Sequence, residues 1–243
     1  MYYVRCILFF CMLSIIASLT CIIGIVEYLF CGKHNTVFFF SRIALFLLNI
    51  LCGISYKITG KLPSNDSNGY VIAAKHQSML EVIIFMAVFH TVNFVVKKEF
   101  LRIPILSTYW KMLGVTCIDR NNYKQSIKAI KNMTNRTDGL SDDTLIIFPE
   151  GTRKSIGAKP DYKQGVYLLY SIVKKPVVPI ALNTGVYWMR NNKISKPGVV
   201  CIDILKPIEI GLSKDDFMKQ LQDRIETRTD ELVAAQIATS EKD

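Results

Sequence analysis

A mostly parallel α/β sheet flanked by helices, preceded by an apolar two-helix segment, is the architecture this chain predicts. Two observations carry that reading. Met1 to Tyr56 holds only four charged residues, Arg5, Glu27, Lys33 and Arg42. After Tyr56, short apolar runs rich in β-formers alternate with helical patterns, as in βαβ folds. The division expected is therefore residues 1–56 as a membrane-anchoring hairpin and residues 57–243 as the globular domain.

Cys6 to Val26 is a run of 21 residues without a charge. As a helix it is about 30 Å long, the thickness of a bilayer core. Arg5 is a slender n-region and the run exceeds a usual signal h-region, which favours an anchor over a cleaved signal. Thr36 to Tyr56 is a second apolar stretch, interrupted by Arg42. Its charge-free part from Ile43 measures about 21 Å, which suits a re-entrant or interfacial helix. The polar cluster Leu62 to Gly69 then opens the globular part.

Strands are expected at Tyr70–Ala74, Val92–Val96, Val115–Ile118, Thr144–Phe148 and Val177–Leu182, with Val199–Leu205 as a further, antiparallel one. Helices are expected at Met79–Phe89, Pro104–Leu113, Tyr123–Asn135 and Gln164–Val173. Lys214–Ile237 is a charged helix with Phe217, Leu221, Ile225 and Leu232 on one side.

Half the residues are hydrophobic and the net charge is +10, of which +8 lies after Tyr56. Such apolar content excludes a disordered chain. A basic balance suits an anionic membrane surface or a phosphorylated substrate. No zinc-finger, RRM or helix-turn-helix pattern points to nucleic acid. The seven cysteines include no C-x-x-C pair, and five lie in the apolar segment, so they read as reduced thiols without a metal site.

Two short segments carry chemistry. The first is Lys75-His-Gln-Ser-Met-Leu-Glu81, directly after a strand. On one continuous helix His76 and Glu81 would stand roughly 140° apart. Ser78-x-x-Glu81 is a capping box, however, so the helix starts near Ser78 and leaves His76 on the preceding loop. Glu81 then comes within reach of the imidazole, and a carboxylate-held histidine can act as a general base. The plain alternative is that Ser78 and Glu81 only cap a helix. The second segment is Phe148-Pro-Glu-Gly-Thr-Arg153, at the end of an apolar strand. Its arginine offers a planar donor fork suited to phosphate oxygens, and its plain alternative is a charged turn.

In order and spacing, His76-x4-Glu81 and Phe148-Pro-Glu-Gly-Thr-Arg153 resemble the blocks of the glycerophospholipid acyltransferase family, closest to bacterial 1-acylglycerol-3-phosphate acyltransferases. A second block resembles the stretch from Lys97 to Arg120, and a fourth resembles Val177-Val-Pro-Ile-Ala-Leu182. The likeness covers roughly residues 57 to 210. Glu81 departs from it, since most members carry aspartate there. The resemblance implies that His76, oriented by Glu81, takes the proton from the free hydroxyl of lysophosphatidic acid. That oxygen would attack the thioester of acyl-CoA or acyl-carrier protein and give phosphatidic acid. Arg153, with Arg120 and Lys97, would hold the phosphate in a pocket shaped by Glu150, Gly151 and Thr152. The same motifs are compatible with glycerol 3-phosphate or another lysolipid as acceptor, and with a lipid-binding protein whose site is dead. No metal or cofactor is implied. The expected location is a bacterial inner membrane, with the catalytic domain on its cytoplasmic side.

Overall fold

The computed structural model describes residues 1–31, 36–63, 69–89, 92–97, 116–118, 127 and 144–240. The chain packs as two units. One comprises Met1–Ser55 and Val82–Asp143, the other Tyr56–Glu81 and Thr144–Asp243.

The first unit holds the apolar hairpin. Helix α1 runs Tyr2–Cys31 and α2 runs Thr36–Cys52. Among the described residues only α1 contains a segment long and apolar enough to cross a membrane, Tyr2–Glu27, while α2 is shorter. The two are antiparallel because their contacts pair opposite ends. Arg5 donates to the Ile50 carbonyl at 2.5 Å, and Cys6 meets Cys52 at 3.9 Å between sulfurs. At the other end Glu27 accepts from the Thr36 backbone N–H at 3.2 Å, so a carboxylate of α1 satisfies an open donor at the start of α2. Arg42, the one charge within α2, lies over the Phe38 ring at 5.3 Å.

The second apolar stretch does not stay helical to Tyr56. Gly53 adopts φ 65° and donates back to Asn49 O at 2.8 Å, ending α2 with a left-handed cap. Strand β1, Ile54–Thr59, follows at once. Its β-branched and aromatic residues favour the extended chain. Most of β1 belongs to the second unit, and the first holds the parallel pair β3, Val92–Lys97, and β4, Thr116–Ile118, in register Val95 with Thr116. The helices expected at Pro104–Leu113 and Tyr123–Asn135 lie outside the described residues.

In the second unit the strand order is β1-β7-β6-β2-β5. Strand β2 is Val71–Ala74, β5 Thr144–Ile147, β6 Val177–Leu182 and β7 Gly198–Ile204. Strand β2 pairs in parallel with both β5 and β6, and β7 pairs antiparallel with β6. Both β2 and β6 are buried along their whole length. That matches their unbroken apolar sequence, since a parallel strand is covered on both faces.

Helix α3, Leu80–Val88, follows β2. Helix α4, Gly165–Val173, and the short α5, Thr184–Tyr187, flank β6 in sequence. Helix α6, Lys214–Ser240, closes the chain. It begins at Ser213, whose Oγ accepts from the Asp216 N–H at 3.2 Å and donates to the Asp216 carboxylate at 2.6 Å, an N-cap. Phe217, Leu221 and Ile225 repeat every four residues and are fully buried. Tyr170 of α4 stacks on Phe217 at 4.1 Å, which joins the two helices.

Candidate active site

The site stands where three strands of the second unit end side by side. Ala73 of β2 is paired with Ile147 of β5 and with Pro179 of β6. All three strands run the same way, so their following loops leave the sheet at one edge. Parallel sheets place their sites at that edge. The loop after β2 carries His76, the loop after β5 carries Phe148 to Arg153, and the turn after β6 carries Thr184.

His76 and Glu81 are brought together. Nδ1 of His76 lies 2.9 Å from Glu81 Oε1. Helix α3 begins at Leu80, so the two residues are not on one helix and the angular objection does not apply. Glu81 is fully buried. It accepts from the Gln77 N–H at 2.8 Å and from the Ser78 N–H at 2.8 and 3.0 Å. Thr184 Oγ1 donates to its Oε2 at 2.7 Å. Ser78 Oγ in turn accepts from the Leu80 N–H at 2.7 Å. Capping and orientation are therefore done by the same carboxylate. An acceptor at Nδ1 fixes the hydrogen there and leaves the Nε2 lone pair available for a proton.

The loop after β5 meets the histidine at three points. Its Phe148 ring stacks on the imidazole, 4.1 Å between centroids and 19° between planes. Glu150 Oε2 accepts from the His76 backbone N–H at 2.9 Å. The Lys154 N–H donates to the His76 carbonyl at 2.8 Å. Gly151 makes the turn, with φ 61° and its N–H bonded to Phe148 O at 2.9 Å.

Glu150 stands differently from the sequence expectation. It was expected to shape a phosphate pocket, and its side chain instead points inward and is fully buried. Its Oε1 lies 2.8 Å from Lys75 Nζ, and Lys75 also binds both oxygens of Glu226 on α6, at 2.8 and 2.7 Å. Tyr162 donates to Glu226 Oε1 at 2.8 Å. Burial pushes the Glu150 carboxyl up, and the Lys75 ammonium pulls it back. Burial, then the Glu226 charge, raises the Tyr162 phenol far above its ordinary value. Nothing in the local pattern around Lys75 signalled this network, because its partners lie 75 and 151 residues away.

Thr152 is exposed and Arg153 is half-buried on the same loop. Arg153 Nη1 donates to Asn192 Oδ1 at 2.8 Å. Beside this pair opens a pocket of about 540 Å³ lined by Ser155, Ile156, Gly185, Met189, Arg190 and Asn191. Lys97 closes β3, but its side chain, like all of Arg120, lies outside the described residues. Among the described residues no three metal-ligating side chains gather at one point. Thr184 and Gln77 were not foreseen. The available signal for Thr184 was its position two residues past a buried strand.

A histidine held by a buried carboxylate, with an arginine on the neighbouring loop, can deprotonate a hydroxyl close to an anionic group. Comparisons with known proteins agree in kind. The family model described as Acyltransferase matches residues 55–183. The 1-acyl-sn-glycerol-3-phosphate acyltransferase of Pseudomonas aeruginosa is 30% identical over 169 residues, 67% of this chain and 63% of that protein. That of Saccharomyces cerevisiae is 25% identical over 241 residues, covering 93% of this chain and 76% of that protein. The chain thus spans a little under two thirds of the Pseudomonas relative. The crystal structure of the 1-acyl-sn-glycerophosphate acyltransferase PlsC from Thermotoga maritima has the same fold, with TM-score 0.75 at 19% identity, over 96% of this chain and 98% of that one. On the match of more than half its length to that family model, this chain belongs to the Acyltransferase family.

Proposed function

We propose that this protein is a 1-acylglycerol-3-phosphate O-acyltransferase, transferring an acyl chain to lysophosphatidic acid to form phosphatidic acid. The observation that carries the reading is the 2.9 Å contact between His76 Nδ1 and the buried Glu81 carboxylate, in a chain whose relatives in Pseudomonas and yeast bear that name.

In this mechanism Nε2 of His76 takes the proton from the acceptor hydroxyl as its oxygen attacks the thioester carbon. The tetrahedral intermediate collapses, the carbon–sulfur bond breaks, and the thiolate leaves with a proton returned from the imidazolium. Glu81 holds the ring and stabilises the imidazolium, the work of the carboxylate in hydrolase triads. Arg153 supplies a guanidinium for the acceptor phosphate, with Arg120 and Lys97 as further cations. Gly151 and Thr152 form the loop that presents it, and Glu150 holds the His76 backbone from beneath. The donor is acyl-CoA or acyl-carrier protein.

The hairpin of residues 1–56 anchors the enzyme in the membrane that holds its lipid substrate, and residues 57–243 carry the chemistry. The excess of basic residues after Tyr56 favours the cytoplasmic side of a bacterial inner membrane, where anionic headgroups and the donor meet.

The test is thiol release from palmitoyl-CoA and from palmitoyl-acyl-carrier protein by the protein in membranes, with and without lysophosphatidic acid, glycerol 3-phosphate and other lysolipids. Release that depends on lysophosphatidic acid and is lost in His76→Ala supports the reading. Release that another acceptor stimulates better reassigns the substrate. No acceptor-dependent release with either donor would leave a lipid-binding protein.

A further inference from the structure

We infer that the pocket beside the Arg153–Asn192 pair is a subsite for a phosphate group, with the Arg190 guanidinium as its cation; this rests on the acyl-transfer reading above and extends it.

Both pocket walls are tied to the His76 segment. One wall is Ser155 and Ile156, which follow Lys154, whose N–H bonds the His76 carbonyl at 2.8 Å. The other runs from Gly185 to Asn191, and the Gly185 N–H donates to Gln77 Oε1 at 3.0 Å. A Cβ at Gly185 would come within 3.1 Å of Gln77 Cβ, so a side chain there would disturb that attachment. The Arg153–Asn192 bond then joins the two walls. Both walls are therefore hydrogen-bonded to the segment that carries the imidazole.

Arg190 sits on a tight turn. Met189 N–H bonds Lys193 O at 2.8 Å, Asn192 N–H bonds Met189 O at 2.9 Å, and Asn192 has φ 63°. Among the described residues nothing accepts from the Arg190 guanidinium or pairs with its charge. Arg153 spends one donor on Asn192, whereas the Arg190 fork is whole.

The lining favours an anion, since Arg190 is the one charged residue among those described there. In sequence, residues 151–202 carry nine basic residues and one acidic, Asp161, between Glu150 and Asp203, which pair with Lys75 and Arg228. Asp161 is itself taken by Lys163 at 2.5 Å. Ser155 adds a hydroxyl, and Ile156 and Met189 add an apolar wall. A cation and a hydroxyl beside an apolar wall suit a phosphate joined to a less polar body, and the volume is that of a small-molecule site. Two sources carry such a group here, the phosphomonoester of the lysolipid and the phosphates of a CoA thioester.

The experiment uses the full chain in nanodiscs with Arg190→Ala and Arg190→Lys, measuring apparent KM for lysophosphatidic acid and for acyl-CoA separately. Loss of a charge-assisted contact should raise one KM about ten- to a hundredfold, with a smaller change in kcat and partial recovery in Arg190→Lys. A rise for the lysolipid assigns the subsite to the acceptor, and a rise for acyl-CoA assigns it to the donor. Unchanged values for both overturn the proposal. An arm independent of activity follows thermal protection by inorganic phosphate and by 3′,5′-adenosine bisphosphate. Protection of the wild type that Arg190→Ala abolishes supports the subsite, even if no acyl transfer is found and the catalytic reading fails. Normal transfer with equal protection of both proteins removes the subsite alone.

Discussion

The backbone N–H of His76 donates to the side chain of Glu150 across 74 residues of sequence, at 2.9 Å. Glu150 belongs to the conspicuous Pro-Glu-Gly-Thr-Arg run, yet it is buried and is not among the described residues that line the pocket. Its place is beneath the histidine, where it links that loop to Lys75 and, through Lys75, to the C-terminal helix. The consequences of that arrangement can be tested one residue at a time.

Replacing His76 by alanine should lower kcat by about 10²–10⁴, the usual worth of a general base. The bonds from Glu150 and Lys154 go to the His76 backbone and survive the change. Thermal unfolding should therefore stay near wild type, apart from the lost stacking on Phe148 and the lost donor to the Glu81 carboxylate, each about 1 kcal/mol. Turnover within a fewfold of wild type would remove His76 from the mechanism.

Glu81→Gln is expected to damage both rate and stability. Every partner of this carboxylate is a donor. A glutamine amide must turn an NH2 toward one set of donors, leaving buried N–H or O–H groups unsatisfied. That costs about 1–3 kcal/mol in denaturant melts, besides the lost charge beside the imidazole. Glu81→Asp keeps the charge but shortens the reach, so it should retain more activity than Glu81→Gln. A glutamine variant with normal stability and rate would mean the carboxylate is only a cap.

Lys75→Met leaves two carboxylates of the network without their cation. Removing one partner of a buried ion pair costs about 3–5 kcal/mol. Adding Glu150→Gln and Glu226→Gln to Lys75→Met should restore part of the loss, because contacting residues couple. Strict additivity of the three changes would show that the groups act separately.

Glu150 also sets a pH dependence. Burial raises its carboxyl above the ordinary value near 4.5. In the window above that value the folded state holds more protons than the unfolded one, so this group's contribution to stability falls as pH rises. Glu150→Gln has no such titration. Its stability relative to wild type should therefore increase with pH across the window, as read by parallel denaturant titrations. A difference flat in pH would contradict the assigned direction.

Arg153→Ala should weaken the phosphorylated acceptor by about ten- to a hundredfold in kcat/KM. Arg153→Lys should recover part of that, since the planar fork is lost. Asn192→Ala removes only the partner of Nη1 and separates orientation from contact. Equal kinetics in Arg153→Ala and wild type would place the phosphate elsewhere.

Much of this was legible in the sequence for local reasons. An uncharged run of bilayer length marks α1 by its own composition. The unbroken apolar Val177–Leu182 is a parallel strand at the expected positions because burial on both faces demands such a run. Ser78 and Glu81 revealed the start of α3, since a capping box is a contact within one turn. The end of α2 was less legible. Apolar residues continue to Tyr56, and only the left-handed Gly53 divides helix from strand.

The sequence by itself determined which chemistry-bearing residues exist, on which kind of element each lies, and that His76 and Glu81 are neighbours. These follow from short-range rules of period, capping and turn. Tertiary structure alone decided that β2 lies between β5 and β6, and with it that Thr184 reaches Glu81 from one side and Phe148 reaches His76 from the other. It also turned Glu150 inward to Lys75 and set Arg190 at the pocket wall, unpaired among the described residues. The reason is physical. Strand order brings together residues far apart in the chain, and a buried carboxylate takes whichever cation the packing places beside it, so neither partner is marked by its own local sequence.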